Sequence, residues 1–280
     1  MHAARLILSA VCAVAAAVVR RAPGRGCGAP APSLLNMANA ALISKLESDS
    51  LAAGRYSRQE ITKVPLYIHV VAKGEELRDG YLPKDMVMGQ LKVLNDDYKG
   101  AGFIFDLQDI DYTINETWAR DRSEMDMKRS LRRGTYGDLN LYFQPYVSGY
   151  LGYSYFPERN VTKRSQEWYR DGCTILAGTV PGGWEGAYSG GRTVTHEVGH
   201  WMGLYHTFEG GCTGDGDFIN DTPAELEPAY ECASERNSCP GREGTDPIHN
   251  FMDYVSDSCM ESFTDGQKAR MQSYYSRYRA

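Results

Sequence analysis

Histidine is scarce in this chain, six residues in 280, and so are long apolar runs and excess positive charge. The formal charge of −6 at pH 7 offers no field for a polyanion, which excludes nucleic acid as a partner. A local basic cluster, Lys128, Arg129, Arg132 and Arg133, reads as one solvated helix face. The longest stretch free of charged or strongly polar residues, Leu6 to Val19, holds fourteen residues. A spanning helix needs about 20, so no membrane anchor is expected. No internal repeat occurs. No C-x-x-C pair stands among the seven cysteines, which argues against a cysteine-built zinc site. What is present, 42% hydrophobic and 24% charged residues, is ordinary globular material, enough for one large domain or two lobes around a cleft.

The run from Leu6 to Val19 lies between Arg5 and the pair Arg20–Arg21 and fits a secretory signal peptide, residues 1–17, with small residues Ala13, Ala15 and Ala17 near the cleavage point. An extracellular location follows. Residues 18–58 open with RRAPGRGCGAPAP and continue into a helix-like stretch, Met37 to Ala53, which together read as a linker or pro-segment. Arg20–Arg21, and Arg55 or Arg58, are the processing points on offer. A main domain, 59–280, remains, with an upper part 59–206 and a lower part 207–280.

In the upper part strands and helices alternate, which puts the chain in the α/β (α+β) class. Leu66, Ile68 and Val70 alternate with Tyr67, His69 and Val71, as in a strand buried on both faces, and His69 is structural on that reading. Pro83 opens a helix with Val87, Leu91, Leu94 and Tyr98 at helical spacing, closed by Gly100. Further strands are expected at Phe103–Tyr112, Leu139–Phe143, Tyr150–Phe156 and Thr174–Thr179, and helices at Glu124–Arg133 and Thr193–Tyr205. The lower part is rich in turns until Thr264, which with Gln267 forms a capping box for a final helix. Irregular lobes need staples. In an oxidising compartment Cys212, Cys232, Cys239 and Cys259 imply two disulfides, with three pairings open.

Three of the six histidines fall within HEVGHWMGLYH, residues 196–206. His196 and His200 are four apart and project from one helix face. His206 would point away if the helix continued, but Gly203 permits the positive φ that turns the chain back. Three imidazoles with one position left to water make a catalytic zinc site. Glu197 is the residue type that takes a proton from a water on such a metal.

The pattern HExxHxxGxxH resembles the zinc signature of the metzincin metallopeptidases. GLYHTFEGGC, DTPAE and NFMDYVSDSCMESFTDGQ are similar to the pappalysin branch, particularly the secreted extracellular metalloproteases of fungi. The resemblance runs from about Pro65 to the C-terminus. It implies a two-lobed zincin: a twisted mixed sheet with a backing helix and the metal helix, then a small irregular disulfide-stapled C-terminal lobe. It implies pairs Cys212–Cys239 and Cys232–Cys259, a methionine turn at Met252, and a Tyr254 hydroxyl that binds the reaction's oxyanion. It also implies a substrate strand laid against the segment Tyr150–Phe156. Asp217, Asp221 and Thr222 are donors for a structural calcium ion, or else a solvated acidic turn; both stay open.

With Cys12 inside the signal peptide, Cys27 and Cys173 are left over. Either they pair with each other, or Cys27 is a switch whose thiolate fills the fourth zinc position before activation. Asn115, Asn160 and Asn220 stand in glycosylation sequons. The expected protein is a secreted, monomeric zinc metalloendopeptidase, with one catalytic Zn²⁺, acting on extracellular proteins or peptides. A silent zinc-containing binding protein is the other reading, and Glu197 speaks against it.

Overall fold

The alternation at Leu66–Val71 produces a strand with both faces occupied, and the sheet grows around it. The protein is described by a computed structural model that covers residues 26–54, 61–233 and 235–280. The signal peptide and Arg20–Arg21 lie outside the described residues, as do Arg55 and Arg58. Apart from short 3-10 turns and a π-helical end, the elements are α1 (Leu34–Ala52), β1 (Thr62–Ala72), α2 (Lys84–Tyr98), β2 (Phe103–Ile114), α3 (Glu116–Ala119), α4 (Glu124–Leu131), β3 (Leu139–Gln144), β4 (Gly152–Ser154), α5 (Gln166–Arg170), β5 (Cys173–Leu176), α6 (Arg192–Trp201) and α7 (Asp265–Tyr274). None of these helices is long and apolar enough to cross a membrane.

The five strands lie in the order β2-β1-β3-β5-β4. All neighbours are parallel except the last, where β4 runs antiparallel to β5 and forms the sheet edge. One face carries Val64, Leu66, Ile68 and Val70, packed in a single core with Val87 and Leu94 of α2 and Val194 and Val198 of α6. The other carries Val71 and Tyr142, covered by Met127 and Leu131 of α4. His69 is fully buried, with its ring nitrogens 2.8 Å from Asp111 Oδ2 and 3.0 Å from Asn140 Oδ1. It ties three strands together and takes no part in the site below.

Helix α2 clamps α6 from behind. The Tyr98 hydroxyl donates to Thr195 O at 2.9 Å, Gln90 Nε2 donates to Gly191 O at 3.0 Å, and Asp97 pairs with Arg192 while accepting from Thr195 Oγ1 at 2.5 Å. The N-terminal half of α6 is thereby fixed to the sheet.

The basic cluster at the end of α4 departs from its expected solvated face. Arg129 and Arg133 are exposed, but Lys128 and Arg132 are buried. Lys128 Nζ is 2.8 Å from Glu124 Oε1, donates to Arg170 O at 2.6 Å, and lies over the rings of Tyr142, Tyr153 and Tyr155. Arg132 pairs with Asp171 at 3.2 Å. Long cationic stems bury readily when rings and carboxylates from other elements receive their heads.

Two expected strands are shorter than their sequences suggest. Tyr150–Phe156 is regular only at Gly152–Ser154, since Ser148 and Gly149 both have positive φ and bend the approach. Thr174–Thr179 ends at Leu176 and closes as a 3-10 turn. In the lower part the disulfides are Cys212–Cys239 and Cys232–Cys259, and the Thr264–Gln267 capping box forms in both directions. The segment read as linker or pro-segment is docked: Glu47 of α1, 5% exposed, pairs with the buried Arg270 of α7 at 2.8 Å.

Candidate metal centre

Helix α6 stops at Trp201 because Gly203 takes φ +98°. Leu204 N donates to Gly199 O and Gly203 N to His200 O, each at 2.9 Å, the double bond of a Schellman end. A side chain at Gly203 would also collide with Tyr274, whose ring comes within 2.2 Å of a Cβ placed there. Conformation and close approach both require glycine. The turn returns the chain so that His206 Nε2 lies 3.0 Å from His200 Nε2.

Backbone carbonyls aim the rings. His196 Nδ1 donates to Phe251 O at 2.7 Å and His200 Nδ1 to Leu204 O at 2.8 Å. Each Nδ1 then carries the proton, and Nε2 presents its lone pair inward. Burial pushes His200 down to about 4 and His206 well below its ordinary value, so both are neutral donors at physiological pH. One ligand atom from each of His196, His200, His206 and Cys27 lies within 4.8 Å of the others. Three imidazoles and a thiol converging in this way are a donor set that fits zinc.

Glu197, 1% exposed, is held beside this cluster. Ser154 Oγ of the edge strand lies 3.2 Å from Glu197 Oε2 and 2.8 Å from Glu197 O. Gly152 leaves the space: a Cβ there would stand 2.8 Å from Glu197 Cγ. Cys27 Sγ is 3.6 Å from Glu197 Oε2 and accepts from Ala29 N at 3.3 Å. Neither Cys27 nor Cys173 is in a disulfide, which removes the reading in which they bridge. Cys27 is delivered by backbone pairing, with Gly28 N donating to Gly152 O at 2.9 Å and Leu151 N to Gly26 O at 2.8 Å. The pairing is parallel.

The lower part supplies the floor. Met252 is fully buried, and its sulfur would lie 2.4 Å from a Cβ at Gly199, so glycine on α6 admits the methionine under the histidines. Its neighbour Phe251 gives the carbonyl that orients His196. The Tyr254 hydroxyl reaches His206 Nε2 at 3.2 Å. Burial, then the nearby Cys27 and Glu197, raise this phenol strongly, which keeps it a proton donor.

Of the calcium donors, Asp221 is occupied at the start of α7, accepting from Thr264 Oγ1 and Gly266 N at 2.8 Å each. Asp217 is buried, with Oδ1 accepting from Ile219 N at 3.0 Å and Thr222 as its side-chain partner. Calcium takes six to eight oxygens, and these side chains alone do not make up that shell.

Sequence reasoning missed Ser154 and the polar bed under His206. Thr207 Oγ1 donates to Glu225 Oε2 at 2.8 Å, Glu225 pairs with Arg236, and Asp253 accepts from Tyr254 N at 2.7 Å. Burial pushes Glu225 up to about 8 and Asp253 to about 7. Nothing in local spacing marks these residues, although DTPAE and NFMDY contain two of them.

Residues 182–276 match the M43 peptidase family described as pregnancy-associated plasma protein-A. An extracellular metalloprotease of Sordaria macrospora is 48% identical over 282 residues, covering 100% of this chain and 99% of its own. Among solved structures, mature mirolysin of Tannerella forsythia with a cleaved peptide superposes with TM-score 0.65 at 28% identity, covering 77% of this chain and 92% of that one. The promirolysin mutant E225A superposes with TM-score 0.68 at 26% identity, covering 91% and 95%.

Proposed function

This chain belongs to the pappalysin family of extracellular zinc metalloproteases, and we propose that it hydrolyses peptide bonds with Glu197 as general base and that the form described here is its latent precursor. The observation that carries this reading is the convergence of His196, His200 and His206 around one point beside the Glu197 carboxylate. Zinc bound by these histidines supplies Lewis acidity and lowers the pKa of a coordinated water toward about 7.

The residues of the chain do the rest. Glu197 takes the proton of the attacking water and passes it to the departing amine, oriented by Ser154 Oγ. The Tyr254 hydroxyl donates to the oxyanion of the tetrahedral intermediate. A peptide backbone pairs with Leu151 and Gly152 at the sheet edge, the place Gly26 to Gly28 now hold. No covalent intermediate is required. The test is cleavage of an unfolded protein by the secreted, activated chain: a chelator is expected to abolish it and equimolar Zn²⁺ to restore it. Cleavage indifferent to chelation contradicts the reading.

Latency rests on Cys27, whose sulfur lies among the three histidines beside Glu197 and would serve as a fourth ligand to the zinc they hold. Cys27→Ser is expected to cleave substrate before any loss of residues 18–58, where the wild-type precursor is inactive. Measured activity of the unprocessed variant decides this, and unchanged latency removes the switch.

A further inference from the structure

His206 is held differently from the other two clustered histidines. His196 and His200 each donate from Nδ1 to a backbone carbonyl, at 2.7 Å and 2.8 Å. His206 makes its polar contacts at Nε2, which lies 3.0 Å from His200 Nε2 and 3.2 Å from the Tyr254 hydroxyl. Among the described residues no carbonyl or carboxylate receives its Nδ1. A metal-bound imidazole ordinarily has its direction fixed by the hydrogen bond at the far nitrogen. For His206 the plane of the ring has to be fixed by other means.

Phe208 supplies them. Its ring lies flat against that of His206, 4.7 Å between centroids at an interplanar angle of 10°, and meets the Tyr254 ring edge-on at 4.9 Å and 72°. Tyr254 in turn stands edge-on to His206 at 5.1 Å and 82°, so the three rings brace one another. Such pairings have preferred geometries that resist rotation of the rings. Phe208 is half-buried and stands outside the hydrophobic core clusters; among the described residues its ring neighbours are these two. The backbone between the stacked rings is pinned. Thr207 N donates to Met252 O at 3.4 Å and Thr207 Oγ1 to the buried Glu225 at 2.8 Å, and Glu225 is itself paired with Arg236. With Thr207 held on one side, the flanking rings at 206 and 208 leave together on the other.

We propose that Phe208 is the positioning residue of the third metal ligand: its stack sets the aim of His206 Nε2, and its edge contact sets the place of the Tyr254 phenol beside it. The proposal rests on the zinc reading of the site and adds to it a residue that acts only through its neighbours.

The unprocessed chain, stripped of metal, is titrated with Zn²⁺ against a chelator of known affinity. Phe208→Leu keeps an apolar side chain but loses the flat face, and it is expected to raise the zinc Kd about 10–100-fold, the range for residues that orient metal ligands. Phe208→Tyr keeps the face and is expected to bind zinc as the wild type does. Urea midpoints of the metal-free proteins are expected to coincide for all three, a readout that plain packing would move. On the activated chain with zinc saturating, Phe208→Leu is expected to lower kcat about tenfold with KM unchanged, less than the 10²–10³-fold of deleting an oxyanion donor outright. Wild-type affinity in Phe208→Leu overturns the positioning role and leaves the zinc reading standing. Equal losses in both variants, or a loss matched by a lower urea midpoint, also overturn it. If the wild type binds no zinc, both fall.

Discussion

Glu197→Gln is expected to lower kcat for peptide hydrolysis by about 10²–10⁴-fold, the range general-base catalysis contributes, while zinc content stays at that of the wild type. Glutamine is nearly isosteric and keeps a partner for Ser154 Oγ, so the wall of the site is preserved. It lacks the basic oxygen that takes the proton. Glu197 itself is not one of the clustered metal donors, and its loss leaves the three histidines in place. Single-turnover rates on the activated chain, with metal analysis of the same sample, check both halves. A variant within tenfold of wild type denies Glu197 its role, and a variant that loses zinc in parallel makes the carboxylate structural.

Asp171→Ala is expected to destabilise the protein by about 3–5 kcal/mol, the cost of breaking a buried ion pair and stranding its partner. Asp171 is 2% exposed and serves two guanidiniums, Arg132 at 3.2 Å and Arg279 at 3.0 Å, besides accepting from Trp201 Nε1 at 3.1 Å. Burial opposes its ionisation, but Arg279 and Arg132 outweigh burial and hold its pKa below the ordinary 3.8. The pair therefore contributes its stability above about pH 3.8 and loses it as pH falls below that value. Arg279 also donates to Trp201 O at 3.0 Å and lies 3.6 Å from the Trp201 ring centroid. The C-terminal residues thus brace the end of the metal helix next to His200. Urea unfolding at neutral pH measures the effect, and a change below about 1 kcal/mol contradicts the bracing.

What could be read in the sequence was what is local. His196, His200 and His206 and the turn at Gly203 are set by helix periodicity and a glycine within eleven residues, so their geometry follows from spacing. Met252 and Tyr254 carry no such spacing, and only resemblance to a family singled them out. Cys27 is 170 positions from Glu197, and its place at the histidines depends on backbone pairing of Gly26 to Gly28 with the sheet edge. The same limit explains the misreading of α4. The stretch 128–133 shows four basic residues, whereas the rings of Tyr142, Tyr153 and Tyr155 and the carboxylate of Asp171 that bury two of them come from elsewhere. The edge strand was overestimated at seven residues because its apolar content is visible and the bend at Ser148 and Gly149 is not.

The central claim, a zinc ion on three histidines with Cys27 closing the precursor, is tested most directly by X-ray absorption at the zinc edge on the unprocessed chain and on its activated product. The precursor is expected to show three nitrogen neighbours at about 2.0–2.1 Å and one sulfur at about 2.3 Å. In the activated product, and in Cys27→Ser, the sulfur is expected to be replaced by oxygen. A precursor with no zinc–nitrogen shell, or one whose shell survives His206→Ala unchanged, contradicts the site.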